Sequence, residues 1–116
     1  MSDIVVTIPA RIWAEWLAEG DAAGEPESGT EYGYSVPTFP RRIEPGGRVY
    51  VVAGARLRGY APLLRVETTV YGEHLLVRGA GAVAVTIPDT IRGFRGYRYR
   101  WWSRGDERPF PEWRTL

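Results

Sequence analysis

Between Arg48 and Trp102 the apolar segments are short, rich in β-branched and aromatic residues, and closed by Gly or Pro. That punctuation leaves little room for helices and predicts a succession of strands. Pro45-Gly46-Gly47 is a turn signal. Val49 to Ala53 is a continuous apolar run, the pattern of a strand buried on both faces. Arg56-Leu57-Arg58 alternates, Gly59 allows a bend, and Ala61 to Tyr71 is expected as the next strand, with Pro62 confined to its beginning. Tyr71-Gly72-Glu73 turns into His74–Arg78, and Gly79-Ala80-Gly81 turns into Ala82–Ile87, which Pro88-Asp89 breaks. Phe94 to Trp102 is expected as the last long strand, followed by a turn at Ser103–Asp106 and a Pro-punctuated tail over residues 103–116.

The first third of the chain differs. Ile4 to Thr7 is a short β-prone run. Pro9 stands where a first helical turn tolerates it, and Ile12, Trp13, Trp16 and Leu17 share one helical face. Residues 9–19 are therefore expected as an amphipathic helix, with Gly20 as its stop. Residues 20–47 hold six Gly and four Pro and show no period of 2 or 3.6. A loop of that length is expected to wrap over the domain as a lid, its second half pinned by Tyr32, Tyr34, Val36 and Phe39. One helix beside five or six strands predicts an α+β, β-dominated fold: a small, partly open β-barrel, with one N-terminal amphipathic helix and a long loop over the barrel. At 116 residues the chain is expected to be a single domain.

Cys, Lys, Asn and Gln are all absent, and all 15 basic residues are Arg. Disulfides, thiolate metal sites, Cys nucleophiles and Schiff-base lysines are thereby excluded. Adenine cannot be read by the bidentate amide pairing. Arginine still offers a rigid fork of donors to phosphate or carboxylate. No apolar run approaches the roughly 18 residues of a membrane span, and no basic region precedes an apolar block at the N-terminus, so the expected setting is cytoplasmic. The net charge of +1 hides an asymmetry: residues 1–47 carry three Arg against eight acids, and residues 48–116 carry twelve Arg against six.

The excess of arginine and aromatic residues in Arg92–Arg104 makes that stretch the prime functional candidate. On an extended strand Arg95, Tyr97, Tyr99 and Trp101 fall on one side, and Phe94, Gly96, Arg98, Arg100 and Trp102 on the other. The expectation is that Tyr97, Tyr99 and Trp101 face the core while Arg98, Arg100 and Trp102 face outward. Arg56 and Arg58 point the same way on their strand, and Arg41-Arg42 close the long loop. A basic cleft results if these converge. Arginine would then neutralise phosphate, and Tyr34, Trp101 or Trp102 would stack a base. His74 is the only histidine and lacks the partners that a metal or catalytic role needs.

The order of features resembles the PUA-like barrels, the ASCH group in particular. The resemblance rests on the strand–helix–long loop order over residues 4–102, on Pro45-Gly46-Gly47-Arg48-Val49-Tyr50-Val51-Val52, and on the small-residue bend Arg58-Gly59-Tyr60-Ala61-Pro62-Leu63. It implies a module that binds RNA or a modified base. The ASCH segment Gly-x-Lys-x-x-Glu-x-Arg has no counterpart here, and the enzymatic members depend on a lysine, so the resemblance implies binding rather than their hydrolysis. Three functions follow as expectations. The first is a module for RNA, single-stranded DNA or a modified nucleotide, with neither cofactor nor metal. The second is a hydrolase of a modified base or nucleoside, using Glu67 or Glu44 as general acid or base with Thr68 or Tyr34 assisting. The third is a homo-oligomeric interaction protein.

Overall fold

The structure is a computed structural model that describes residues 3–19, 32–42, 46–79 and 82–110. Its elements are β1 (Ile4–Thr7), α1 (Ala10–Glu19), β2 (Tyr32–Val36), β3 (Arg48–Ala53), β4 (Arg56–Thr68), β5 (His74–Arg78), β6 (Val85–Thr86), β7 (Tyr97–Tyr99), a 3₁₀ turn at Arg104–Asp106 and β8 (Arg108–Pro109). Six strands, in the order β2-β5-β4-β3-β1-β7, form one curled half-barrel sheet, and β6 pairs with β8 beside it. The fold is the β-dominated, partly open barrel with one helix that the sequence predicts.

β1 and β3 are parallel, with Ile4 opposite Val49 and Thr7 opposite Val52. A parallel pair needs a long crossover, and α1 lies within it. Trp13 of α1 is fully buried and Ile12 is half-buried. The side chains of Trp16 and Leu17, and the stop at Gly20, fall outside the described residues.

β3 is covered on both faces, as its unbroken apolar run predicts. Val49, Val51 and Ala53 join one core with Ile4, Val6, Trp13, Tyr34 and Leu76. Tyr50 and Val52 join a second with Val5, Leu57, Ile87, Ile91 and Trp102. Complete burial of a side chain such as Leu57 or Leu76 contributes about 2 to 3 kcal/mol.

Four expectations are corrected. Arg56–Thr68 is a single strand of 13 residues, not two. Its first half pairs with β3 and its second half with β5, and Pro62 stands where the ladder changes partner. Bulges at Val51/Val52 and Leu63/Arg65 supply the curl. Second, residues 32–36 of the expected long loop are a sheet strand, with Tyr34 and Val36 buried and Gly33 and Ser35 exposed. The lid expectation for residues 20–31 and 43–45 lies outside the described residues. Third, the strand expected over Ala82–Ile87 shrinks to Val85–Thr86, plus a bridge from Val83 to Tyr60. Fourth, Phe94–Trp102 contains only three strand residues, and the described part of the tail is built into the fold through β8 and the buried Phe110. No helix among the described residues is long and apolar enough to cross a membrane.

Candidate functional site

The C-terminal end of β1 organises a group of concavities. Thr7 Oγ1 donates to the Phe94 carbonyl at 2.7 Å and accepts from the Phe94 amide at 3.3 Å. This two-point clip holds residues 93–96 against the end of β1. Gly96 then turns with φ +70, and a Cβ there would press on Pro37. The β3–β4 turn closes another side: Gly54 and Ala55 both have positive φ, the backbone of a type I′ hairpin turn. The Ile91 amide donates to the Ala55 carbonyl at 2.9 Å and fixes that turn beside residues 91–96.

Three adjoining depressions result, all of them lined by Thr7. The largest, about 730 Å³, is lined by Ser35, Val36, Pro37, Tyr71, Glu73, Phe94 and Arg95 among others. A second, about 460 Å³, lies between Ile8, Val52, Gly54, Ala55, Ile91, Gly93, Phe94 and Arg95. A third, about 400 Å³, lies under the start of α1 beside Arg11 and Tyr34. Tyr71 is 90% exposed on the β4–β5 turn, so its ring is open to a partner. Arg95 is exposed and belongs to both larger depressions.

The structure separates the residues expected to form one cleft. Arg98 and Trp101 gather around Phe94, and Arg95 lines the same depressions as Phe94. The Arg98 guanidinium lies 4.5 Å from the centre of the Phe94 ring, and the Trp101 ring packs edge-on at 6.4 Å. The strand parity expected for the two tryptophans is reversed, because β7 ends at Tyr99: Trp101 is 51% exposed, whereas Trp102 is 9% exposed and sits in the second core. Arg100 turns inward to Asp3. Arg58 is buried, donates to the Ala53 carbonyl at 2.8 Å and stands beside Trp13. Arg56 and Arg58 do point the same way, but both lie against the Phe110 ring rather than in a cleft. Tyr34 is a core residue whose edge reaches the third depression. Arg41 and Arg42 are exposed, and the Arg42 guanidinium lies 4.4 Å over Tyr99. Tyr97 and Tyr99 pack half-buried against the first core, as their strand parity predicts.

The residues named for hydrolysis are also dispersed. Glu67 is exposed and ion-paired with Arg65 at 2.8 Å. Thr68 Oγ1 lies 3.0 Å from His74 Nδ1, and the His74 ring abuts Phe39. Glu44 lies outside the described residues. Among the described residues no group of His, Asp and Glu is placed to hold a metal.

Sequence reasoning missed a polar cluster at the opposite end of β1. Asp3 is fully buried there. Its Oδ2 accepts from Arg100 Nε at 2.9 Å and Arg104 Nε at 2.9 Å, and its Oδ1 accepts from Arg104 at 2.8 Å and the Arg48 amide at 3.1 Å. Burial pushes the Asp3 carboxyl up, but these donors outweigh it and hold it below the ordinary carboxylate value. Glu107 accepts from the Tyr50 hydroxyl, from Trp102 Nε1 at 2.9 Å and from Arg48 at 3.2 Å. Burial and that carboxylate raise the Tyr50 phenol well above its usual range. The signal available in the sequence was weak: an acid just before β1, and Arg104 and Glu107 around a Gly-Asp turn. Every one of these charges faces an opposite charge or a donor, so the cluster ties the start of β1 to the start of β3 and to the segment after β7.

No family model, curated protein or solved structure matches the chain.

Proposed function

We propose that the protein is a small binding module for a nucleotide or a single-stranded nucleic acid, and that its contact surface is the groove beside Thr7. The observation that carries this reading is one shared wall. The exposed ring of Tyr71, the Phe94 ring and the exposed guanidinium of Arg95 line the same depression of about 730 Å³. Aromatic faces stack bases without regard to sequence, and arginine grips phosphate with paired donors. Glu73 and Ser35, which also line that depression, suit the amino and carbonyl groups of a base. Arg98 and Trp101, clustered on Phe94, extend the cationic and aromatic surface along the strand. Kinship with PUA-like barrels belongs to the same proposal, supported by the curled half-barrel sheet with one helix.

The test is a titration of labelled single-stranded RNA and DNA at two salt concentrations. With about two phosphates neutralised, affinity should fall about sevenfold between roughly 50 and 200 mM salt. Arg95→Ala should weaken binding and flatten that salt slope by about 0.7. Tyr71→Ala should cost about 1 to 3 kcal/mol with the salt slope unchanged. Absence of binding to either strand at low salt would overturn the proposal.

A further inference from the structure

We infer that the groove takes two successive nucleotides of a single strand, with the bridging phosphate at Arg95. This rests on the proposed nucleotide-binding role and adds the length of strand bound. The argument starts from what the two larger depressions share. Thr7, Phe94 and Arg95 line both, so they form the ridge between two compartments. Arg95 is exposed on that ridge, where one guanidinium reaches an anion lying between the compartments. Their volumes, about 730 and 460 Å³, each fall in the range of roughly 300 to 1,000 Å³ typical of small-molecule sites.

Their linings differ in charge. The larger compartment carries the exposed Tyr71 ring with Ser35 and Glu73. Besides Arg95, the smaller is lined by uncharged residues: Thr7, Ile8, Pro9, Ala55 and Phe94, the buried core residues Val52, Ala53 and Ile91, and Gly54 and Gly93. Arg95 is its sole charged residue, so it suits a flat heterocycle better than a second phosphate. A Cβ on Gly93 would meet nothing within 4 Å, so a ring can approach the backbone there. The order along the groove is therefore base, phosphate, base. Glu73 lines the larger compartment and is absent from the smaller one, so Arg95 is the one charged residue that the two compartments share.

The test is competition against a labelled adenine oligonucleotide, in separate ribose and deoxyribose series. The competitors are the adenine mononucleotide and the dinucleotide ApA. The dinucleotide should displace the probe at a concentration at least about tenfold lower than the mononucleotide, a gain of about 1.4 kcal/mol. The advantage is expected in at least one sugar series, and that series identifies the strand. Gly93→Leu fills the smaller compartment at a position whose backbone is not left-handed. It should bring the dinucleotide down to the mononucleotide's level while far-UV circular dichroism stays that of the parent. Equal displacement by the two competitors, or an advantage that survives Gly93→Leu, overturns the two-nucleotide inference and leaves the nucleotide-binding proposal standing. Failure of the labelled oligonucleotide itself to bind overturns both.

Discussion

Ala55 is the sole residue other than glycine with positive φ among the described residues, at +61. A Cβ in that conformation costs about 1 to 2 kcal/mol. Glycine at the same place relieves the strain but loses about 0.4 to 1 kcal/mol through the freer unfolded chain. Ala55→Gly is therefore expected to stabilise the fold by about 0.5 to 1 kcal/mol, read as a rise in the denaturant midpoint; a fall would contradict the strained turn. The tryptophan pair carries another lesson at this scale. Alternation assigned Trp101 to the core and Trp102 to the surface, and the structure has them the other way round. The parity rule holds only while the chain stays in the ladder. β7 stops at Tyr99, and the Arg100 amide and side chain are both drawn to Asp3. Trp102 then finds Tyr50 at 5.2 Å between ring centres, and Glu107 for its N–H.

Among the elements, β4 shapes the molecule, because it serves two partners in succession. Gly59 sits where it crosses the 83–84 segment. A Cβ there would lie 2.5 Å from the Val83 carbonyl oxygen, which accepts the Tyr60 amide at 3.0 Å. The obstacle is backbone, which cannot swing aside. Gly59→Ala should lower stability by about 1 to 3 kcal/mol, as overpacking does, and chemical denaturation measures it; an unchanged midpoint would mean that the segment yields freely. The sequence suggested the bend at Gly59 but not the continuity across Pro62. A proline interrupts a strand where its missing N–H is needed by the ladder, whereas here it stands where the ladder passes from β3 to β5. β2 was legible but overlooked. Tyr34 and Val36 inward, Gly33 and Ser35 outward, is period two, hidden in a stretch dominated by Gly and Pro.

Over the whole molecule, the Asp3 cluster ties segments far apart in sequence to one end of the sheet. It draws the segment after β7 and the 3₁₀ turn onto the start of β1, and it receives the amide of Arg48 at the start of β3. Removing the charge leaves Arg100 and Arg104 facing a neutral group, although both still reach water. Asp3→Asn is expected to cost about 3 kcal/mol near neutral pH, the lower end for breaking a buried pair. Because the folded carboxyl lies below its ordinary value of 3.8, its contribution is complete above that value and fades as pH falls through the folded pKa. The stability gap between parent and variant should thus hold through the neutral range and narrow in acid. Urea titrations at several pH values measure it, and a gap that widens in acid would reverse the assignment.

By itself the sequence determined the class of fold. Short β-branched segments between Gly and Pro cannot become helices, and an unbroken apolar run such as Val49–Ala53 must be covered on both sides, because each exposed methylene costs free energy wherever it lies. It also singled out Arg92–Arg104 as chemically unusual. Only the tertiary structure decided which of those residues meet. Arg98 and Trp101 converge on Phe94, while Arg100 turns inward to Asp3, distant in sequence, and Trp102 to Glu107, five residues on. Local spacing sets a side chain's parity along a strand. Where the strand ends and which buried charge awaits its neighbours are set by contacts with Asp3, 97 positions away from Arg100, and these no local pattern encodes.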